Sequence, residues 1–160
     1  MAARCPDCDR TLVPVEVPPA LREFDPEDAA VVGSCPRCLR TVALGEADVD
    51  ADADANADAD VDADADADAD ADPSPETDHD AADLPDAIPD GDGGVAVVLL
   101  LGLLDALATN RAAIQALVDH AERGGADVFL TLDRLAADSD VDPHADLGRR
   151  RRQLESLLGY

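Results

Sequence analysis

Two short segments of nearly the same spelling, Cys5-Pro6-Asp7-Cys8-Asp9-Arg10-Thr11 and Cys35-Pro36-Arg37-Cys38-Leu39-Arg40-Thr41, hold all four cysteines of the chain. A C-x-x-C turn lets two thiolates converge on one ion while backbone N–H groups of the turn point at the sulfurs. Two such turns complete a tetrahedral four-sulfur shell. The spacing therefore points to one structural zinc ion held by Cys5, Cys8, Cys35 and Cys38. The spacer of 26 residues between Cys8 and Cys35 is long for a compact ribbon, but an insert only has to leave one knuckle and return to the other. Arg4, Arg10, Arg37 and Arg40 sit beside the knuckles, where positive charge balances a centre made anionic by four thiolates.

Two disulfides would use the same residues. Met1-Ala2-Ala3-Arg4 offers no apolar stretch to act as a secretory signal, and a reducing cytoplasm favours metal over disulfide, so a cytoplasmic zinc site is expected. Iron takes the same four-sulfur shell, and the residues do not distinguish the two metals. Catalysis by the metal would need a coordination position open to water, and four cysteine ligands leave none. His79 falls in an acidic tract, His120 on the polar face of an expected helix and His144 in the first turn of another, each without a neighbouring nucleophile. Ser34, Ser74, Ser139 and Ser156 lack a surrounding motif. The expectation is a protein that is not an enzyme.

The formal charge of −25 is unevenly spread, because residues 46–94 contain twenty acids and no base. Lysine is absent and all twelve bases are arginine. With the abundance of Asp, Ala and Val, this composition resembles that of proteins from salt-loving archaea. In molar salt the Debye length is about 3 Å, so such charge acts on near neighbours and serves hydration.

From Asp48 to Asp72 every second residue is acidic or, at Asn56, its amide, with Ala or Val between. A strand with this alternation would stack carboxylates on one face and offer little more than methyl groups on the other. That burial is too small to offset about 1–2 kcal/mol of backbone entropy per residue. Calcium-binding repeats need glycines to turn the chain around each ion, and none occurs in this tract. Residues 46–94 are accordingly expected to be a disordered acidic linker, ending at Asp90-Gly91-Asp92-Gly93-Gly94.

Beyond Gly94 the chain becomes apolar. Val95 to Leu104 carries no charge, but Asp105 interrupts the run well short of the roughly 18–20 residues a membrane span needs. A helix here would be apolar nearly all round, and must be wrapped by other elements or lie at a subunit interface. Thr109 or Asn110 caps a second helix through about Arg123, with Ile114, Leu117, Val118 and Ala121 inward and Gly124-Gly125 as its stop. A third is expected over Asp127 to Ala137, its apolar face made by Val128, Phe129, Leu132, Leu135 and Ala136. A fourth is expected from Pro143, capped by Asp142, presenting Leu147, Leu154, Leu157 and Leu158. Residues 95–160 then form a small antiparallel bundle of about four helices, close to the size at which a core becomes marginal, so docking to the ribbon or dimerisation would help it.

In residues 1–45, Thr11 to Val17 reads as a strand broken by Pro14. Val31-Val32 and Thr41 to Leu44 read as strands flanking the second knuckle, and a short helical stretch falls within Pro18 to Asp28. Phe24 is the lone aromatic of this module, so metal binding must supply folding energy, on the order of 10 kcal/mol for structural zinc. The expected fold class is multi-domain: an N-terminal β-rich zinc ribbon (1–45), a disordered acidic Asp-Ala linker (46–94) and a C-terminal all-α bundle (95–160).

This order of a double Cys-Pro-x-Cys ribbon, an acidic linker and a helical segment ending in Arg-Arg-Arg-Arg-Gln-Leu-Glu resembles an uncharacterised family of small haloarchaeal zinc-ribbon proteins. The resemblance implies the ribbon and its zinc, and no activity. The knuckles are similar to the Cys-Pro-x-Cys-Gly turns of small archaeal zinc fingers, except that Asp9 and Leu39 replace the glycine.

These features together predict a noncatalytic adaptor or regulatory protein that presents its ribbon and the apolar first helix to a protein partner or to a second copy of itself. The alternative is a ribbon that contacts nucleic acid in transcription or translation, through Arg4, Arg10, Arg37, Arg40 and the run Arg149–Arg152. Against it stand the net negative ribbon, the scarcity of stacking aromatics and a linker that repels phosphates. The four consecutive arginines point around most of a helix, and read more simply as a solvated segment pairing with Asp138, Asp140, Asp142 and Asp146.

Overall fold

A computed structural model of the chain describes residues 2–45 and 83–160. The expectation of disorder and the Asp-Ala repeat fall mainly on residues 46–82, outside the described residues.

The N-terminal module is an antiparallel sheet in the order β1 (Val13–Glu16), β2 (Val31–Ser34), β3 (Thr41–Ala43). Val13 lies opposite Ser34, which lies opposite Thr41. The expected break at Pro14 does not occur. β1 is an edge strand, and since Val17 N–H donates to Ala30 O, the alternation of the ladder turns position 14 towards the open edge, where no N–H is required. Between β1 and β2 the chain makes one 3-10 turn, Arg22–Phe24. It is tied back by Arg22 Nε donating to Val17 O at 3.1 Å and by the Asp25 carboxylate accepting from Ala29 N–H at 2.8 Å.

The C-terminal module has four α-helices among the described residues: α1 (Gly91–Leu103), α2 (Arg111–Arg123), α3 (Val128–Ala137) and α4 (Leu147–Leu158), with a 3-10 turn, Leu104–Ala106, closing α1. None is long and apolar enough to cross a membrane. α2 matches its expected limits, with Asn110 at the N-cap position and Ile114, Leu117, Val118 and Ala121 buried. α3 begins after Asp127, whose carboxylate accepts from Leu130 N–H. Its buried face uses Thr131 where Ala136 was expected, and Ala136 is exposed.

Two helix starts differ from expectation. α1 begins at Gly91, within the stretch that its glycines and acids assigned to the linker. The glycines serve close approach: a Cβ on Gly94 would overlap Pro89 O, and one on Gly124 would fall 3.0 Å from Gly93. They let the start of α1 lie against the preceding turn and the end of α2. α4 begins at Leu147 with Asp146 as its cap, accepting from Arg149 N–H, later than the Pro143 start that sequence signals favour. The backbone of residues 142–144 is committed elsewhere, for Asp142 N–H donates to Arg37 O and His144 N–H to Cys38 O.

A single apolar core joins the two modules. Leu100, Leu101 and Leu104 are fully buried, among Ile114 and Leu117 of α2, Leu132 and Leu135 of α3, Leu154 of α4, and Val17, Leu21, Val32 and Leu39 of the ribbon. Of the two fates open to an all-round apolar helix, α1 takes the first: its own chain wraps it. The expectation that α1 presents its apolar surface outward is therefore corrected. A tertiary hydrogen bond fixes the contact, Thr41 Oγ1 donating to Val98 O at 3.0 Å. The arginine run also pairs differently from expectation. Arg151 reaches Asp133 at 2.8 Å and Glu155 at 2.7 Å, and lies over the ring of Phe129, so it knits α4 to α3.

Candidate metal centre

The two knuckles are built alike. Cys5 N–H donates to Arg10 O and Asp9 N–H to Cys5 O; Cys35 N–H donates to Arg40 O and Leu39 N–H to Cys35 O. These bonds close each C-x-x-C turn. They drive the residue after the second cysteine into left-handed backbone, with φ of 57° at Asp9 and 61° at Leu39. The two departures from a Cys-Pro-x-Cys-Gly pattern thus occupy the two positions where glycine costs least.

For Leu39 the side chain explains the departure, because it is fully buried in the core shared with the helices. Asp9 is exposed and has no such compensation. Opposite effects of the same substitution follow. Asp9→Gly is expected to raise the melting temperature slightly. Leu39→Gly is expected to destabilise the protein by about 2–4 kcal/mol, since losing a buried leucine outweighs relief of the backbone. Thermal unfolding followed by circular dichroism checks both signs.

The four sulfurs converge. Cys5 Sγ lies 3.4 Å from Cys38 Sγ, and Cys8 Sγ lies 3.4 Å from Cys35 Sγ and 3.8 Å from Cys38 Sγ; all four fall within 4.8 Å of one another. A tetrahedron with metal–sulfur bonds of about 2.3 Å has edges of about 3.8 Å, so this cluster can hold one metal ion with little movement. Disulfide bonding would require sulfurs about 2.05 Å apart. Cys5, Cys35 and Cys38 are buried and Cys8 is half-buried. Among the described residues no other set of three or more His, Cys, Asp and Glu side chains converges in this way.

Burial pushes the Cys35 and Cys38 thiols above their ordinary value. At Cys5 burial acts in the same sense, but hydrogen bonds from the Asp7 and Cys8 backbone and from neighbouring sulfurs outweigh it and bring the thiol down. Turn N–H groups aim at the sulfurs as expected; the Cys38 N–H lies 3.5 Å from Cys35 Sγ.

Of the flanking arginines, Arg40 pairs with Asp7 across the two knuckles, and Arg4 with Asp9 within the first. The Asp7 carboxylate raises Arg40 above its ordinary value.

The sequence gives no signal for the group that holds the second knuckle from behind. His144, expected in the first turn of a helix, lies in the loop before α4. Its Nδ1 is 2.8 Å from Cys38 O, and its Nε2 is 3.2 Å from the carboxylate of Asp105 in the turn that ends α1. A carbonyl only accepts, so Nδ1 carries the hydrogen. More than a hundred residues separate His144 from Cys38, which is why no local motif marks it. His120 is half-buried on α2, away from the cysteines; His79 lies outside the described residues.

No curated protein and no solved structure matches the chain. A family model does match, over residues 4–158, a span that takes in both knuckles, all four helices and the acidic tract between them. The chain belongs to the DUF6276 family, a family of unknown function.

Proposed function

We propose that this protein is a noncatalytic zinc-binding adaptor or regulatory protein of the cytoplasm, a zinc ribbon of haloarchaeal type built onto a helical protein-interaction domain. The convergence of four thiols, most of them buried, carries the reading. A shell filled by cysteine sulfurs has no position for water or substrate, as in structural zinc sites. The composition supports the haloarchaeal assignment, since lysine is absent and the formal charge is −25.

The interaction surface lies on the helical domain. Leu130 is 44% exposed and Tyr160 75% exposed, and Tyr160 stacks edge-on against Phe129. These exposed apolar side chains on α3 and after α4 fit a protein contact better than a nucleic-acid contact. The nucleic-acid reading has less support, because Arg4 and Arg40 are already paired with Asp9 and Asp7. The test is native mass spectrometry of full-length protein beside Leu130→Asp. A defined oligomer or stoichiometric partner that dissociates in the variant is expected. A monomer whose binding partner is nucleic acid, lost on charge reversal at Arg37 and Arg40, would contradict the reading.

Zinc loading should depend steeply on pH. Cys35 and Cys38 hold their protons more firmly than ordinary thiols, and the ion binds only thiolates, so each ligand that deprotonates releases a proton. Apparent affinity is therefore expected to fall by more than tenfold for each unit that pH drops below the ordinary thiol range, about 8.5. Competition with a chelator across pH 5.5 to 8 measures it. The sign is fixed: protein loaded at high pH loses zinc on acidification.

A further inference from the structure

The two knuckles, alike in their turns, are anchored very differently. Arg37 O accepts from Asp142 N–H at 2.8 Å, and Cys38 O accepts both from His144 N–H at 2.9 Å and from His144 Nδ1 at 2.8 Å. Leu39 is sunk in the helical core and Thr41 is bonded to α1. The first knuckle is held, among the described residues, by the Arg4–Thr11 bridge, neighbouring backbone bonds, the Arg4–Asp9 pair and the Asp7–Arg40 pair, and no helix residue bonds to it in these contacts. One half of the centre is thus part of the helical unit.

Resting on the zinc reading above, we propose that His144 is a positioning residue of the metal centre. Held by Asp105, it fixes the Cys38 turn and thereby links metal occupancy of the ribbon to the stability of the helices. A carbonyl that takes two hydrogen bonds from one residue cannot rotate without breaking both, so the peptide following Cys38, and with it the direction of the Cys38 side chain, is set by the loop before α4. Groups that orient metal ligands in this way typically change affinity about 10–100-fold when removed. Linkage requires the converse: whatever the clamp adds to zinc affinity, bound zinc adds to the clamp and to the helices it joins.

The experiment measures zinc affinity by chelator competition, and helix melting with and without zinc, for the full-length protein, His144→Ala, His144→Asn and Asp105→Ala. His144→Ala should bind zinc about 10–100-fold more weakly and show a smaller zinc-induced rise in melting temperature. His144→Asn, which returns an amide N–H near the Nδ1 position, should recover most of both. Asp105→Ala should act in the same direction with a smaller effect, and should add nothing in a His144→Ala background. If His144→Ala does not fold, Asp105→Ala decides the matter, since that side chain is half exposed and its loss leaves the core intact. Wild-type protein that binds zinc, beside variants of unchanged affinity whose melting falls equally with and without metal, would overturn the positioning role and leave the zinc reading standing. Wild-type protein that binds no zinc would overturn both.

Discussion

Replacing Cys38 with serine is expected to abolish zinc binding and unfold the ribbon, an effect approaching the whole stability of a domain this size. Structural zinc contributes on the order of 10 kcal/mol to the fold that holds it, against a typical net stability of about 5–15 kcal/mol. The ribbon has little to put in its place. Around the cysteines the buried apolar set adds only Leu12, with Ala3, Val42 and Leu44 partly buried beside it; the ribbon's other buried residues, Val17, Leu21, Val32 and Leu39, pack into the helical core and leave the two knuckles themselves with too little burial to offset their ordering. The chain has no tryptophan and one tyrosine, so fluorescence reports poorly. Loss of amide dispersion for residues 2–45 in NMR spectra, with helical circular dichroism that persists but melts at a lower temperature because Val17, Leu21, Val32 and Leu39 no longer cover the helices, is the expected result. A Cys38→Ser protein with unchanged spectra and one bound zinc would refute the assignment.

The second large effect is expected at Leu100→Asp, which should leave the helical module unfolded rather than merely solitary. Leu100 is fully buried, with Leu101 and Leu104 beside it in the core where all four helices meet the ribbon. A carboxylate placed there loses its hydration with no cation to meet it, so destabilisation should exceed about 4–5 kcal/mol. Had α1 been an interface helix, the same substitution would dissolve an oligomer and spare the monomer fold. Circular dichroism at 222 nm separates the outcomes: collapse of the helical signal is expected here, whereas full helicity in a monomer would return α1 to the surface.

Residue type and spacing alone made the metal cluster legible, because four cysteines in two C-x-x-C turns have few other uses. The helices were legible where caps and period coincide, as at Asn110, Asp127 and Gly124-Gly125. What sequence patterns missed has one physical origin, namely contacts between residues far apart in the chain. Gly93 and Gly94 read as linker until the close approach of Pro89 and Gly124 is seen. Asp142 and Pro143 carry the signals of a helix start, but their segment is drawn to the Arg37 and Cys38 carbonyls. Leu39 looks like a defect in a glycine position until its side chain is found in the helical core. The apolar circumference of α1 shows that it needs cover, yet nothing local says that the ribbon supplies part of it.

Native mass spectrometry of the full-length chain, with element analysis before and after strong chelation, decides whether the four cysteines hold zinc. One zinc per chain, removed only with loss of folded structure in residues 2–45, is the predicted result. A metal-free folded chain, iron in place of zinc, or a mass showing two disulfides among Cys5, Cys8, Cys35 and Cys38 would contradict it.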